Sequence, residues 1–439
     1  MPHPAAFRFT RWPAFLHPTT LLAVLLCATV SAMLWSQANR PALVPDAPAR
    51  MAGLAFAPFH RGQGPEDGQY PSPAQVRADL ERVAPLTPRI RTYTVQDVLG
   101  DIPALAAGLP LKVTLGAWLD RRPGENAREL AALVRTAHAN PNVDRVLVGN
   151  EVLLREDLTP AQLIAAIAQV RRQVGVPVST AEPWHVWLKH PELAQAVDYI
   201  TIHLLPYWEG LPIDDSIRYV MEKLDAVQAA NPGKPIVIGE IGWPSSGVDI
   251  GAARASRVNQ ADFLRRFFVE AEARHLDYFV MEAFDQPWKT SFEGRAAGYW
   301  GVMDLDRGTK WAMSGDVQET PGWTGWAGAS TAIAALLAWV MLAQRPDVRL
   351  PGKLLLAGLV QGFGGTFTCV LLAMSGKYLT GLDAVVWGAL AAGQALLLLL
   401  LMADSFELAE TVWGRVSRRA ATMLPAPDGA ALPMVSIHL

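Results

Sequence analysis

Eight short apolar runs recur from residue 53 to residue 283, and their spacing leaves few ways for the chain to fold. They cover 53–58, 89–94, 111–118, 145–152, 177–181, 199–205, 235–241 and 278–283. Runs of this length, rich in Val and Ile, read as buried parallel strands. Their interval of roughly 30 residues is that of one strand–helix–strand unit. Helical patterns fill the gaps at 127–138, 160–174, 217–230 and 261–274, with Thr159 as an N-cap ahead of Pro160. Eight units over about 265 residues match the ~250 of a (β/α)8 TIM barrel in the α/β class. A doubly wound open sheet would want a glycine-rich phosphate turn after its first strand, and Ala55-Phe56-Ala57-Pro58 supplies none.

Outside this region the chain turns apolar. Segments 19–38, 325–343, 354–374 and 384–402 contain no charge, and about 20 such residues suffice to cross roughly 30 Å of hydrocarbon. The chain of 439 residues is 51% hydrophobic, which fits membrane content. The first segment is short, and Val30-Ser31-Ala32 would also suit a signal-peptidase site. Retention as an anchor is the preferred reading, because the later segments need a membrane anyway. Arg345, Arg349 and Lys353 separate the second and third spans, and Arg415, Arg418 and Arg419 follow the last. With Arg8 and Arg11, the positive-inside rule puts both clusters and the N-terminus in the cytoplasm. The expected organisation is a cytoplasmic start (1–18), an inner-membrane anchor (19–38), a proline-rich linker (39–50), an extracytoplasmic barrel (51–316), three spans and a cytoplasmic tail (403–439). Phe406, Trp413 and Val416 suggest that the tail lies on the membrane surface as an amphipathic helix. Gln361 and Gln394, near Gly362, Gly364 and Gly365, read as helix-packing residues.

Charge and side-chain inventory exclude several chemistries. A net charge of −3 offers nothing to nucleic acid. Cys27 and Cys369 both fall within apolar runs, so no disulfide framework is in view. The nine histidines nowhere cluster at ligand spacing, so neither a metal nor a cofactor is expected.

Two glutamates end strand-like runs: Glu151 in Val146-Leu147-Val148-Gly149-Asn150-Glu151, and Glu240 in Ile236-Val237-Ile238-Gly239-Glu240. A carboxylate just past the C-terminal end of a barrel strand points to the loop face, where such folds keep their chemistry. Two of them, far apart in sequence, meet the demand of glycoside cleavage: one protonates the leaving oxygen, the other attacks the sugar.

At these positions the sequence resembles glycoside hydrolase family 17, the β-1,3-glucanase and β-glucan transglycosylase family, and in its anchoring the membrane-bound bacterial type. The resemblance rests on Asn150-Glu151, on Glu240-Ile241-Gly242-Trp243-Pro244-Ser245-Ser246-Gly247, on Ile90-Arg91-Thr92-Tyr93 and on His203-Leu204-Leu205-Pro206-Tyr207-Trp208. Phe284-Asp285-Gln286-Pro287-Trp288-Lys289, followed by Glu293 and Trp300-Gly301, completes it. It implies Glu240 as nucleophile and a protonated Glu151 as general acid/base, with retained anomeric configuration if the carboxyls stand about 5–5.5 Å apart. It further implies that Asn150 binds the sugar 2-hydroxyl and that Tyr207 orients the nucleophile. Lys289 and Glu293 would be a substrate-side charged pair, and Gln286 stands where many relatives have Glu. Tyr93, His203 and Trp243 join the expected substrate-binding set, Trp243 chiefly by fixing the loop beside Glu240. Trp208 and Trp288 read as cleft walls, while Trp184, Trp187 and Trp300 could be core or platform. Glu282 would either bind sugar and tune its neighbours or pair with Arg91; Glu182 and Glu209 are further loop carboxylates.

The implied activity is a retaining endo-β-1,3-glucanase or β-1,3-glucan transglycosylase, with β-glucan, the lipid bilayer and a glucan synthase as the expected partners. The alternative is a catalytically inactive, membrane-anchored glucan-binding protein or synthase subunit.

Overall fold

The computed structural model describes residues 14–414, which divide into a unit of residues 41–319 and a unit made of the flanking segments. The first unit is a closed barrel of eight parallel strands in sequence order. These are β1 (Leu54–Ala55), β2 (Arg89–Arg91), β3 (Lys112–Ala117), β4 (Val143–Asn150), β5 (Val178–Pro183), β6 (Ile200–Leu204), β7 (Ile236–Ile241) and β8 (Asp277–Val280). Leu54 pairs with Ile90 on one side and Val280 on the other, which closes the ring. Each strand falls within or beside the run that announced it.

The intervening helices obey the expected start signals. Pro73–Val83 and Pro160–Arg171 both begin with proline in the first turn behind a complete capping box, Ser72 with Gln75 and Thr159 with Gln162. Their buried faces pack Val76, Leu80 and Val83, or Leu163, Ile167 and Val170, against the outside of the barrel. At the N-terminal rim, Arg89 bridges Asp144 and Asp277, and Arg145 also reaches Asp277. That end is therefore tied by ion pairs.

The C-terminal ends are less regular. The register slips between β4 and β5, between β6 and β7, and between β7 and β8, each time near the strand tops. Such irregularities redirect side chains, and these strands bear Glu151, His203 and Glu240. β8 ends at Val280, short of the expected Ala283, and the Met281–Glu282 peptide beyond it is cis. Beneath the barrel's own termini, Ala42 and Val317 exchange two antiparallel backbone hydrogen bonds of 2.8 and 3.0 Å.

The second unit contains four helices long and apolar enough to cross a membrane: Pro18–Ala38, Trp323–Ala343, Leu350–Ser375 and Gly381–Trp413. Val24, Ala334, Ala338, Leu342, Leu356, Ala357, Val360 and Ala409 form its core. Gln361 donates to the Thr331 carbonyl (3.0 Å), the packing role expected of it, and Lys353 donates to the hydroxyls of Thr19 and Thr20. The tail reading needs correction. Phe406 and Trp413 belong to one 33-residue helix that continues the last span, since no Gly or Pro interrupts the chain from Ala395 to Trp413. Arg8, Arg11, Arg415, Val416, Arg418 and Arg419 lie outside the described residues.

Candidate active site

Because all eight strands run the same way, residues at their C-terminal ends meet at one mouth however distant they are in sequence. Glu151 follows β4 in the left-handed region, at φ 52°, directly after Gly149 at φ 87° and Asn150. A Cβ on Gly149 would collide with the Val152 side chain, so this turn requires glycine. Glu240 lies on β7 and pairs in register with His203 of β6.

His203 brings the two carboxylates together. Its Nδ1 stands 2.8 Å from Glu151 Oε1 and 3.6 Å from Glu240 Oε2, and one donor atom from each of the three lies within 4.8 Å of the others. Arg91 of β2, buried at 1% exposure, completes the constellation. Its guanidinium donates to Glu240 Oε1 (3.0 Å), to the Gly239 carbonyl (2.6 Å) and to Asn150 Oδ1 (2.5 Å). With Asn150 Oδ1 so occupied, its amide N–H groups are what it can offer a ligand.

One His and two Glu also form a donor set that a metal ion would accept, hidden in the sequence because it comes from three strands. Metal-binding histidines almost always hold a second partner through the other ring nitrogen. His203 Nε2 is buried and has none among the described residues, so the arrangement suits a carboxylate bridge better than a metal centre.

The electrostatics differ from expectation at one point. Burial pushes the Glu151 carboxyl up, but the His203 hydrogen bond and charge, with Arg155 and Arg91, outweigh it and hold the group below its usual value. The surroundings of Glu151 therefore favour its ionised form, where the family resemblance implied a protonated one. Burial raises Glu182 and Glu282 to about 7 each. Glu282 is paired with Lys289 at 2.8 Å, and neighbouring carboxylates raise the Lys289 ammonium against the effect of burial. Burial and the Glu240 charge also lift the Tyr93 phenol well above its ordinary range, although its hydroxyl makes no hydrogen bond of normal geometry.

Several expected site residues stand elsewhere. The Tyr207 hydroxyl donates to the Val248 carbonyl, so it braces the loop after β7, and Tyr93 is the tyrosine exposed to the charge of Glu240. Trp243 is fully buried and donates to the Arg254 carbonyl (2.8 Å), which fixes its loop. Glu282 has no exposed surface and pairs with Lys289, because Arg91 is spent on Glu240 and Asn150. Gln286 is likewise buried, donating to Ala57 O (2.6 Å) and accepting from the Trp288 indole (2.8 Å). It is a structural link between the loop after β8 and the segment after β1.

The others divide between surface and core. Trp208 is 37% exposed and stacks on buried Trp300 at 5.6 Å. Trp288 is half-buried, edge-on to Phe59. Trp187 is core, its indole donating to Thr201 O. Lys289 is nearly buried, and Glu293 is exposed within reach of the charges of Lys289, Glu240 and Glu151. The sequence reading overlooked Arg91 as the bridge between Asn150 and Glu240, and Trp118, which lies 4.2 Å beneath the Arg155 guanidinium. An arginine inside a buried strand run was the available signal for the first; nothing local marked the second.

Residues 53–301 match the family model described as the BtgE/BtgC glycoside hydrolase domain. A glucan 1,3-β-glucosidase of Arthroderma benhamiae is 28% identical over 60% of this chain and 92% of its own. One of Schizosaccharomyces pombe is also 28% identical, over 67% of this chain and 97% of its own. Among solved structures, a family 17 β-1,3-glucanosyltransferase from Rhizomucor miehei is 30% identical with a TM-score of 0.53, covering 60% of this chain and 97% of that one. The last three long apolar helices and the first lie outside the family match. Barrel, site and likeness agree, and the chain belongs to the BtgE/BtgC glycoside hydrolase family, a branch of family 17.

Proposed function

We propose that this protein is a membrane-tethered enzyme that cleaves β-1,3-glucan with retention and transfers the released segment to another sugar hydroxyl. The observation that carries the reading is the His203-bridged pair: donor oxygens of Glu151 and Glu240 lie within 4.8 Å. So close an approach of one oxygen from each carboxyl favours the about 5–5.5 Å separation of retaining enzymes over the about 6.5–9.5 Å of inverting ones. Glu240, held by Arg91, attacks the anomeric carbon. Glu151 takes up a proton and serves the leaving oxygen as the acid. Once the glycosyl-enzyme has formed, an ionised Glu151 is the base that activates the incoming hydroxyl. The Asn150 amide donates to the 2-hydroxyl, while Trp208 and Trp288 wall the cleft.

Membrane tethering follows from the four long apolar helices, which we read as spans of the inner membrane with the barrel on its outer side and the bacterial anchored type as the nearest kind. Transfer is favoured over hydrolysis because such an anchor would hold the enzyme beside an envelope where glucan is made, with a glucan synthase as a fitting neighbour. Incubating purified full-length protein with a defined laminari-oligosaccharide should give products longer than the starting chain, read by mass and linkage analysis. Only shorter products, even at high acceptor concentration, would overturn transfer. Glu240→Gln should abolish turnover while leaving oligosaccharide binding within a few-fold of wild type, and undiminished turnover would remove the mechanism altogether.

A further inference from the structure

Glu182 is fully buried at the end of β5, near enough to feel the charges of His203 and Glu151, and its hydrogen bonds go to the turn that carries Glu151. Its two carboxylate oxygens accept from the backbone amides of Leu153 (2.8 Å) and Leu154 (3.3 Å), the second and third residues after Glu151. The turn they belong to is compact. Glu151 N donates to Ala181 O at 2.7 Å, the last link between β4 and β5, and Arg155 N returns to Glu151 O at 2.9 Å. On the other flank the Arg155 side chain donates to the carbonyls of Asn150 and Leu119 and to Asp157. Glu151 itself sits at φ 52°, a region that strains a side-chain-bearing residue. Left unheld, such a turn would relax and carry the carboxyl away from His203.

We infer that Glu182 is a positioning residue: by gripping two successive amides it locks Glu151 in the left-handed conformation from which its carboxyl meets both His203 and the departing oxygen. A carboxylate suits the task because two converging N–H donors need two acceptors. Glutamine offers one and sets an NH2 against the second donor. The inference rests on reading Glu151 as the acid/base.

The test compares kcat/KM for laminaritriose, whose leaving sugar needs a proton, with that for dinitrophenyl β-laminaribioside, whose leaving group does not. It uses the full-length protein. A displacement of the acid should cost Glu182→Ala roughly 100-fold on laminaritriose and only a few-fold on the aryl glycoside, with Glu182→Gln recovering part of the loss. Equal losses on both substrates, or none on either, would overturn the inference. If Glu182→Ala gives no cooperative melt, Glu182→Gln is read alone by the same criterion. Glu151→Ala is the control. Should it lose equally on both substrates, the acid/base assignment has failed; should it alone be selective, only the role of Glu182 has.

Discussion

Arg91 spends its donors on acceptors from two strands, Glu240 and Gly239 of β7 and Asn150 of β4, and nearly all its surface is buried. Deleting one partner of a buried ion pair leaves an uncompensated charge, at a cost of about 3–5 kcal/mol. Arg91→Met should therefore lower the unfolding free energy by that amount, read as a fall in denaturant midpoint at unchanged slope, and a surface-like loss below about 0.5 kcal/mol would contradict the buried geometry. The same residue shows where sequence reading stops. That Glu151 and Glu240 end strands was visible from local pattern, because burial of a strand demands apolar residues and each run stops at a carboxylate. Which arginine meets which glutamate depends on the neighbour order around the ring and on the register slips, neither of which is written locally. For that reason Tyr93, and not Tyr207, is the tyrosine beside the charge of Glu240.

At the level of elements, the helix starts and strand positions were legible because proline, capping boxes and Val/Ile runs act within a few residues. The end of β8 was not. Its last residues pair with the loop after it, Glu282 with Trp300 and Val302 and Ala283 with Met303, and that pairing has no periodic signature. Gln286 illustrates the consequence, since its amide must donate to Ala57 O and accept from Trp288 at once. Gln286→Glu would set a carboxylate against a carbonyl and should destabilise by about 1–3 kcal/mol, measured by thermal melting, with a loss of Trp288 order visible in its fluorescence. The buried carboxyls of Glu182 and Glu282 add a pH dependence. Burial raises both to about 7, above the unfolded value, so the stability they contribute is complete below about pH 4.5 and is lost as pH rises through about 7. Glu151, whose value is lowered, contributes in the opposite sense and at lower pH. The wild-type melting temperature should thus fall from about pH 5 to about pH 7, and Glu282→Gln should flatten that slope. An identical slope in both proteins would show that Glu282 does not titrate there.

For the whole molecule, the apolar segments were the plainest feature of the sequence, because length without charge is a sufficient condition for a span. Only the last was misjudged: at 33 residues and about 1.5 Å per residue, it outruns a bilayer. The proposed topology puts the loop after Ser375 outside and the loop after Ala343 inside. In a background carrying Cys27→Ala and Cys369→Ala, Lys377→Cys should react with a membrane-impermeant maleimide in intact cells, and Pro346→Cys only after permeabilisation. The reverse pattern would invert the orientation. The paired backbone bonds between Ala42 and Val317 have a further consequence. The barrel's incoming and outgoing segments are clasped side by side, so a pull on either end of residues 41–319 is borne by these two bonds before it reaches the first or last stave.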